Sequence, residues 1–131
     1  MAVALCALCA LWSCGSVSSV LVPAAETVDR ASSVPPAFQG AWSEQVESCG
    51  KDDSDQNYFI GPKDIQAWEV TWTISRTTLG PTGALRIVAI HREYEADHPV
   101  VITITQRSSD EQVFEECSPG CWQVTLKRCP P

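Results

Sequence analysis

Positive charge is scarce in this chain. Nine Lys and Arg stand against sixteen Asp and Glu, a net charge of −7, and no charged side chain of either sign occurs before Glu26. A chain this acidic lacks the clustered Lys and Arg that displace counterions from phosphate, which argues against nucleic acid as a partner and against adsorption on anionic lipid. Histidine is scarcer still, with His91 and His98 alone. His91 is expected on a strand and His98 in a turn before Pro99, both as ordinary surface or rim residues. Neither has a Ser, Cys or Asp at a spacing that builds a nucleophile pair. Helical periodicity is missing too: no segment carries an apolar stripe at a period of 3.6, and no internal repeat is present.

What the first residues do have is small apolar side chains. From Met1 to Val22, Val3, Leu5, Leu8, Leu11 and Trp12 precede a softer stretch of Gly15, Ser16, Ser18 and Ser19. That composition suits a secretion signal, and its second half is too Ser-rich for a membrane span of about 20 apolar residues. Residues 1 to 25 are therefore expected to be a leader that directs the chain to the cell envelope. Leu11-Trp12-Ser13-Cys14 before Gly15 resembles the lipobox of bacterial lipoproteins, which implies lipidation at Cys14 and membrane contact through that anchor. Cleavage after Ala24 or Ala25 is the competing route, giving a soluble periplasmic product.

Of seven cysteines, three lie in the leader and four follow it: Cys49, Cys117, Cys121 and Cys129. An even set in an exported chain reads as two disulfides, with three pairings open. Zinc is the weaker reading, because Ser118-Pro119-Gly120 separates Cys117 from Cys121, Cys49 is isolated, and no His stands at ligand spacing. No metal or cofactor is expected.

Residues 26 to 35 are poor in large apolar groups and read as a flexible spacer. Residues 36 to 131 then form a single domain, small enough to gain from cross-links. Its rhythm is two. Trp68, Val70, Trp72 and Ile74 alternate with Glu69, Thr71, Thr73 and Ser75; Leu85 to Glu95, Val100 to Thr105 and Trp122 to Lys127 repeat the pattern. Such runs are strands with one face buried. Gly80-Pro81-Thr82-Gly83, Asp97-His98-Pro99, Ser108-Ser109-Asp110 and Ser118-Pro119-Gly120 read as the turns between them. Successive hairpins make an all-β antiparallel meander, closed as a small barrel, with a two-sheet β-sandwich as the alternative.

Pro36-Ala37-Phe38-Gln39-Gly40-Ala41-Trp42 contains a Gly-x-Trp that resembles the opening signature of lipocalin-like and avidin-like barrels, and the Phe-x-Gly-x-Trp form is similar to that of small exported bacterial proteins. The resemblance implies a short helical turn closing one end of the barrel, with the Trp packed beneath an Arg from the last strand. Arg128 shares parity with Trp122, Val124 and Leu126, so it is the candidate to stack on Trp42. Within that frame Cys49 and Cys129 face outward where first and last strands meet. The implied pairing is Cys49 with Cys129 across the seam, worth about 4 kcal/mol, and Cys117 with Cys121 across a hairpin.

Three further groups are candidates for chemistry. Asp53, Asp55, Asn57 and Asp64 echo an EF-hand spacing, but Tyr58 stands where that loop needs Gly, so a solvated acidic loop is expected. Glu93, Glu95 and Asp97, and Asp110, Glu111, Glu115 and Glu116 around a later turn, are expected as solubilising charge. Trp68, Trp72 and Tyr58 are the candidate lining of a ligand pocket. The expected function is a non-enzymatic, monomeric envelope module that binds a small ligand or a cationic protein. The alternative is a periplasmic inhibitor of a lysozyme-like or other hydrolase, in which clustered acids speed association.

Overall fold

A computed structural model describes residues 29–31, 33–94 and 96–131. Cys14 and the leader lie outside the described residues. Nine strands follow one another: β1 (Asp29–Ala31), β2 (Gly40–Ser43), β3 (Asn57–Ile60), β4 (Asp64–Ala67), β5 (Val70–Leu79), β6 (Leu85–Glu93), β7 (Ala96–Ser108), β8 (Glu111–Cys117) and β9 (Cys121–Arg128). Two short 3-10 turns, Pro36–Phe38 and Val46–Ser48, flank β2. Among the described residues no helix is long and apolar enough to cross a membrane.

Eight strands, β2 to β9, form an antiparallel ring. Neighbours in sequence pair all the way round, and β2 meets β9 to close it, so the barrel is the observed form and the sandwich is not. The architecture is consistent with a lipocalin-like barrel. Inward positions alternate as the pleat requires: Leu85, Ile87 and Ala89 on β6, Val100, Ile102 and Ile104 on β7, and Phe114 on β8 are buried with Trp42, Ile60, Ile65, Trp72 and Leu126. Burying a side chain of this size is worth about 1.5–3 kcal/mol against leaving it exposed, and these positions form one cluster.

Part of the expected spacer is structured. β1 pairs with the lower half of β5, Asp29 opposite Leu79 and Ala31 opposite Thr77, beyond the register shift between Ile74 and Arg76. Val34 is buried, and its N–H donates to the Pro62 carbonyl at 2.8 Å.

The implied plug is present. The Arg128 guanidinium lies 4.2 Å from the centre of the Trp42 ring and donates to the carbonyls of Gln39, Ala37 and Ser109. The Trp42 indole N–H donates to the Phe38 carbonyl at 3.1 Å. Gly40 makes this possible. Its φ is +115°, which side chains resist, and a Cβ there would sit 3.2 Å from Arg128 Nη1. The turns around Pro62, Gly80–Gly83 and Ser109–Asp110 share this plugged end; the 44–56 loop and the turns at Trp68–Glu69, Tyr94 and Ser118–Gly120 share the opposite one.

Both disulfides take the implied pairing. Cys49–Cys129 bridges the β2–β9 seam and Cys117–Cys121 joins directly opposed residues of the last hairpin. Disulfides of this kind suit an oxidising, extracytoplasmic environment.

Candidate functional site

The largest polar group within the barrel is organised by Glu116, at the end away from the plug. Gln112, Phe114 and Glu116 share the inward parity of β8, and the Glu116 side chain is only 6% exposed. A buried carboxylate needs donors, and three converge here. The Trp72 indole N–H donates to Oε2 in a very short contact, the Trp122 indole N–H donates to Oε1 at 3.3 Å, and His91 Nδ1 lies 3.1 Å and 3.2 Å from the two oxygens. Because a carboxylate only accepts, the last contact places the imidazole proton on Nδ1. The solubilising role expected for Glu116 is therefore corrected: strand parity turns it inward, where aromatic N–H groups hold it.

The histidine expectations change with it. His91 is 12% exposed at its side chain and lies against Trp72, edge to face at 5.3 Å. His98 is not in a turn. The β6–β7 turn falls at Tyr94, so Asp97-His98-Pro99 belongs to β7 and His98 stands opposite His91, their rings stacked at 4.6 Å. His91 Nε2 is buried with no hydrogen-bond partner and lies 3.6 Å from Glu93 Oε2.

Of the three expected lining aromatics, two come together. Tyr58 and Trp72 are buried, stacked at 6.3 Å and both packed on Phe114. Side chains thus fill the space in which a calyx ligand would sit. Trp68 is corrected as a strand residue facing the core: it is 45% exposed, because Trp68 and Glu69 form the two-residue turn between Ala67 and Val70 and the alternation beginning at Val70 does not extend back through it. Trp122 keeps inward parity but sits at the rim, 43% exposed, tilted on Phe114.

Trp68 and Tyr58, two of the three expected lining aromatics, border one depression of about 370 Å³ with Phe59, Gln66, Lys51, Asp52 and Glu69. Phe59 is 53% exposed. Acidic residues surround this end: Glu44, Glu47, Asp52, Asp53 and Asp55 are all exposed on the 44–56 loop. Their field reaches the interior. Burial, then the charges of Glu44, Glu116 and Asp55, push the Tyr58 phenol up to about 12, and burial followed by Asp55 raises the Glu44 carboxyl. Asp64 is not part of the loop. It lies on β4 and accepts from Gln66 Nε2 at 2.8 Å, so the EF-hand spacing brings no ligand set together. Among the described residues, Glu115, Cys117 and Cys121 place three ligand atoms within 4.8 Å of one another, but the two sulfurs are bonded to each other.

The Tyr58 environment makes a prediction. Between pH 10 and 12 the folded phenol holds a proton that the unfolded chain has released, so its contribution to stability is complete below pH 10 and lost as pH rises toward 12. In a Tyr94→Phe variant, which leaves Tyr58 as the sole phenol, absorbance at the phenolate band is expected to titrate near 12 when folded and near 10 in denaturant.

Compared with known protein families, curated proteins and solved structures, the chain matches none.

Proposed function

We propose that this protein is a non-enzymatic binding module of the cell envelope that engages a cationic protein, such as a lysozyme-like hydrolase, through the outer surface at the acidic end of its barrel. The observation that carries the reading is the pairing of two exposed aromatics, Phe59 and Trp68, in one depression edged by Asp52 and Glu69. Exposed aromatics ringed by charge are the usual anchors of protein contacts: the rings supply desolvated area, and the surrounding charge steers encounter. The aromatic filling of the interior supports a surface contact over a calyx. The 44–56 loop adds negative charge beside the anchors, which favours a positively charged partner.

Titration calorimetry with a cationic lysozyme tests it. Saturable binding is expected, weaker at higher salt, and reduced about thirtyfold by Trp68→Ala, with near-ultraviolet dichroism showing the fold intact. No saturable binding across a panel of cationic secreted hydrolases at about 100 μM, or binding indifferent to Trp68→Ala, would overturn the reading.

A further inference from the structure

We propose that the Trp68 depression is a guanidinium site, a deepening that rests on the protein-contact reading: its occupant is one arginine side chain of the cationic partner. Trp68 and Phe59 offer exposed rings there. Ring faces carry negative charge density and attract a cation laid over them. Arginine fits better than lysine, because its planar head stacks on an indole while its edge still donates to oxygens in the plane of the head. At about 370 Å³ the depression stands at the small end of ligand sites, with room for one such head and its stem.

The walls supply oxygens and few donors. Asp52 and Glu69 line the depression, and among the described residues neither has an ion pair. Lys51 borders it as well without pairing either carboxylate. Asn57 adds an unmet acceptor: its Nδ2 donates to the carbonyls of Ser48 and Lys51 at 2.7 Å and 3.0 Å, and its Oδ1 is buried with no hydrogen-bond partner. A wall of unpaired carboxylates and an unmet amide oxygen calls for a ligand rich in donors, and a guanidinium carries more N–H groups than any other side-chain head.

Backbone geometry points to the same place. Among the described residues, Glu69 and Tyr94 are the non-glycine positions with positive φ, at +61° and +44°. Side chains resist this region, and residues held in it cluster at binding and catalytic sites. Tyr94 is 81% exposed, so packing does not account for its backbone. The pair occupies the β4–β5 and β6–β7 turns, and a hydrogen bond to Glu69, followed by the charge of Glu69, raises the Tyr94 phenol above its ordinary range. Tyr94 is therefore a positioning residue, whose hydroxyl holds the Glu69 carboxylate from the neighbouring hairpin.

The test is a proton–nitrogen NMR titration of the protein, both disulfides formed, with N-acetyl-arginine amide and with N-acetyl-citrulline amide as its uncharged isostere. Saturable shifts at the Trp68 indole N–H and at the Phe59 and Glu69 amides are expected at low-millimolar arginine probe, with the citrulline probe about tenfold weaker. Glu69→Gln and Asp52→Asn are each expected to weaken the arginine probe about threefold, with unchanged near-ultraviolet dichroism showing the fold intact. Tyr94→Phe is expected to lower the preference for arginine over citrulline while citrulline affinity stays the same, a change that loss of structure would not produce. No saturable shift below about 50 mM, equal binding of the two probes, or indifference to both carboxylate variants overturns the site. A cationic hydrolase whose binding depends on Trp68 but on neither carboxylate keeps the protein-contact reading and overturns the guanidinium. Probe binding with no hydrolase bound does the reverse: the guanidinium site stands, and the partner protein falls as its source in favour of a free guanidinium compound.

Discussion

Replacing Cys49 and Cys129 together by serine is expected to remove about 4 kcal/mol of folding stability, measured as the shift in urea midpoint at constant slope. The bridge joins residues 80 apart, and constraint of the unfolded chain grows with the logarithm of that separation. The native seam that it spans is thin. β2 and β9 share two registered pairs, Trp42 with Arg128 and Ser43 with Lys127, together with the Cys129 N–H to Ala41 carbonyl bond at 2.9 Å. By contrast β5 and β6 pair over nearly their full length on either side of the register shift at Ile74/Arg76. Amide exchange at Trp42 and Ser43 should therefore accelerate more in the double variant than exchange at Ile87 or Ile102. Removing Cys117–Cys121, which spans 4 residues, is expected to cost only about 2 kcal/mol because the loop is short. Equal losses from the two bridges would mean that the seam is held by something other than its covalent closure.

Glu116→Ala is expected to destabilise by about 3 kcal/mol. The substitution deletes the acceptor for the buried Trp72 indole N–H and the part-buried His91 Nδ1–H, whereas the half-exposed Trp122 can turn its indole N–H to water. Each orphaned buried donor costs about 1–3 kcal/mol. Glu116→Gln keeps an acceptor oxygen and should lose less than half as much. The measurement is the urea midpoint of both variants, with the near-ultraviolet signal of Trp72 and Trp122 reporting whether the rings stay fixed. If alanine proves as mild as glutamine, the carboxylate is not what orders this cluster.

Several of these positions could be read from the chain before any coordinates. Trp42 and Arg128 were legible because a short motif fixes one partner and strand parity the other; the disulfide pairing was implied by the barrel resemblance, since Cys49 lies past the Val46–Ser48 turn, where the parity of β2 no longer runs. Trp72 followed from alternation alone. Trp68 did not, since period-two reasoning identifies faces only within a strand, and whether residues 68 and 69 continue a strand or turn a corner depends on the Ala67–Val70 closure. His98 failed for a related reason: Pro99 looks like a turn residue, and only the register places the corner at Tyr94 and His98 opposite His91. Glu116 carried a usable signal that composition masked. It shares parity with Phe114, and a carboxylate in phase with a core aromatic is a candidate for burial even when its sequence neighbours, here Glu115, are charged. What no pattern could supply was the convergence of Trp72, His91 and Trp122 on it, which requires β5, β6 and β9 to meet β8.

β1 runs antiparallel to the last residues of β5, with Asp29 beside Leu79 at the plugged end. The β1 edge therefore sits at the base of the barrel, and Trp68, the 44–56 loop and the two histidines crown the opposite end.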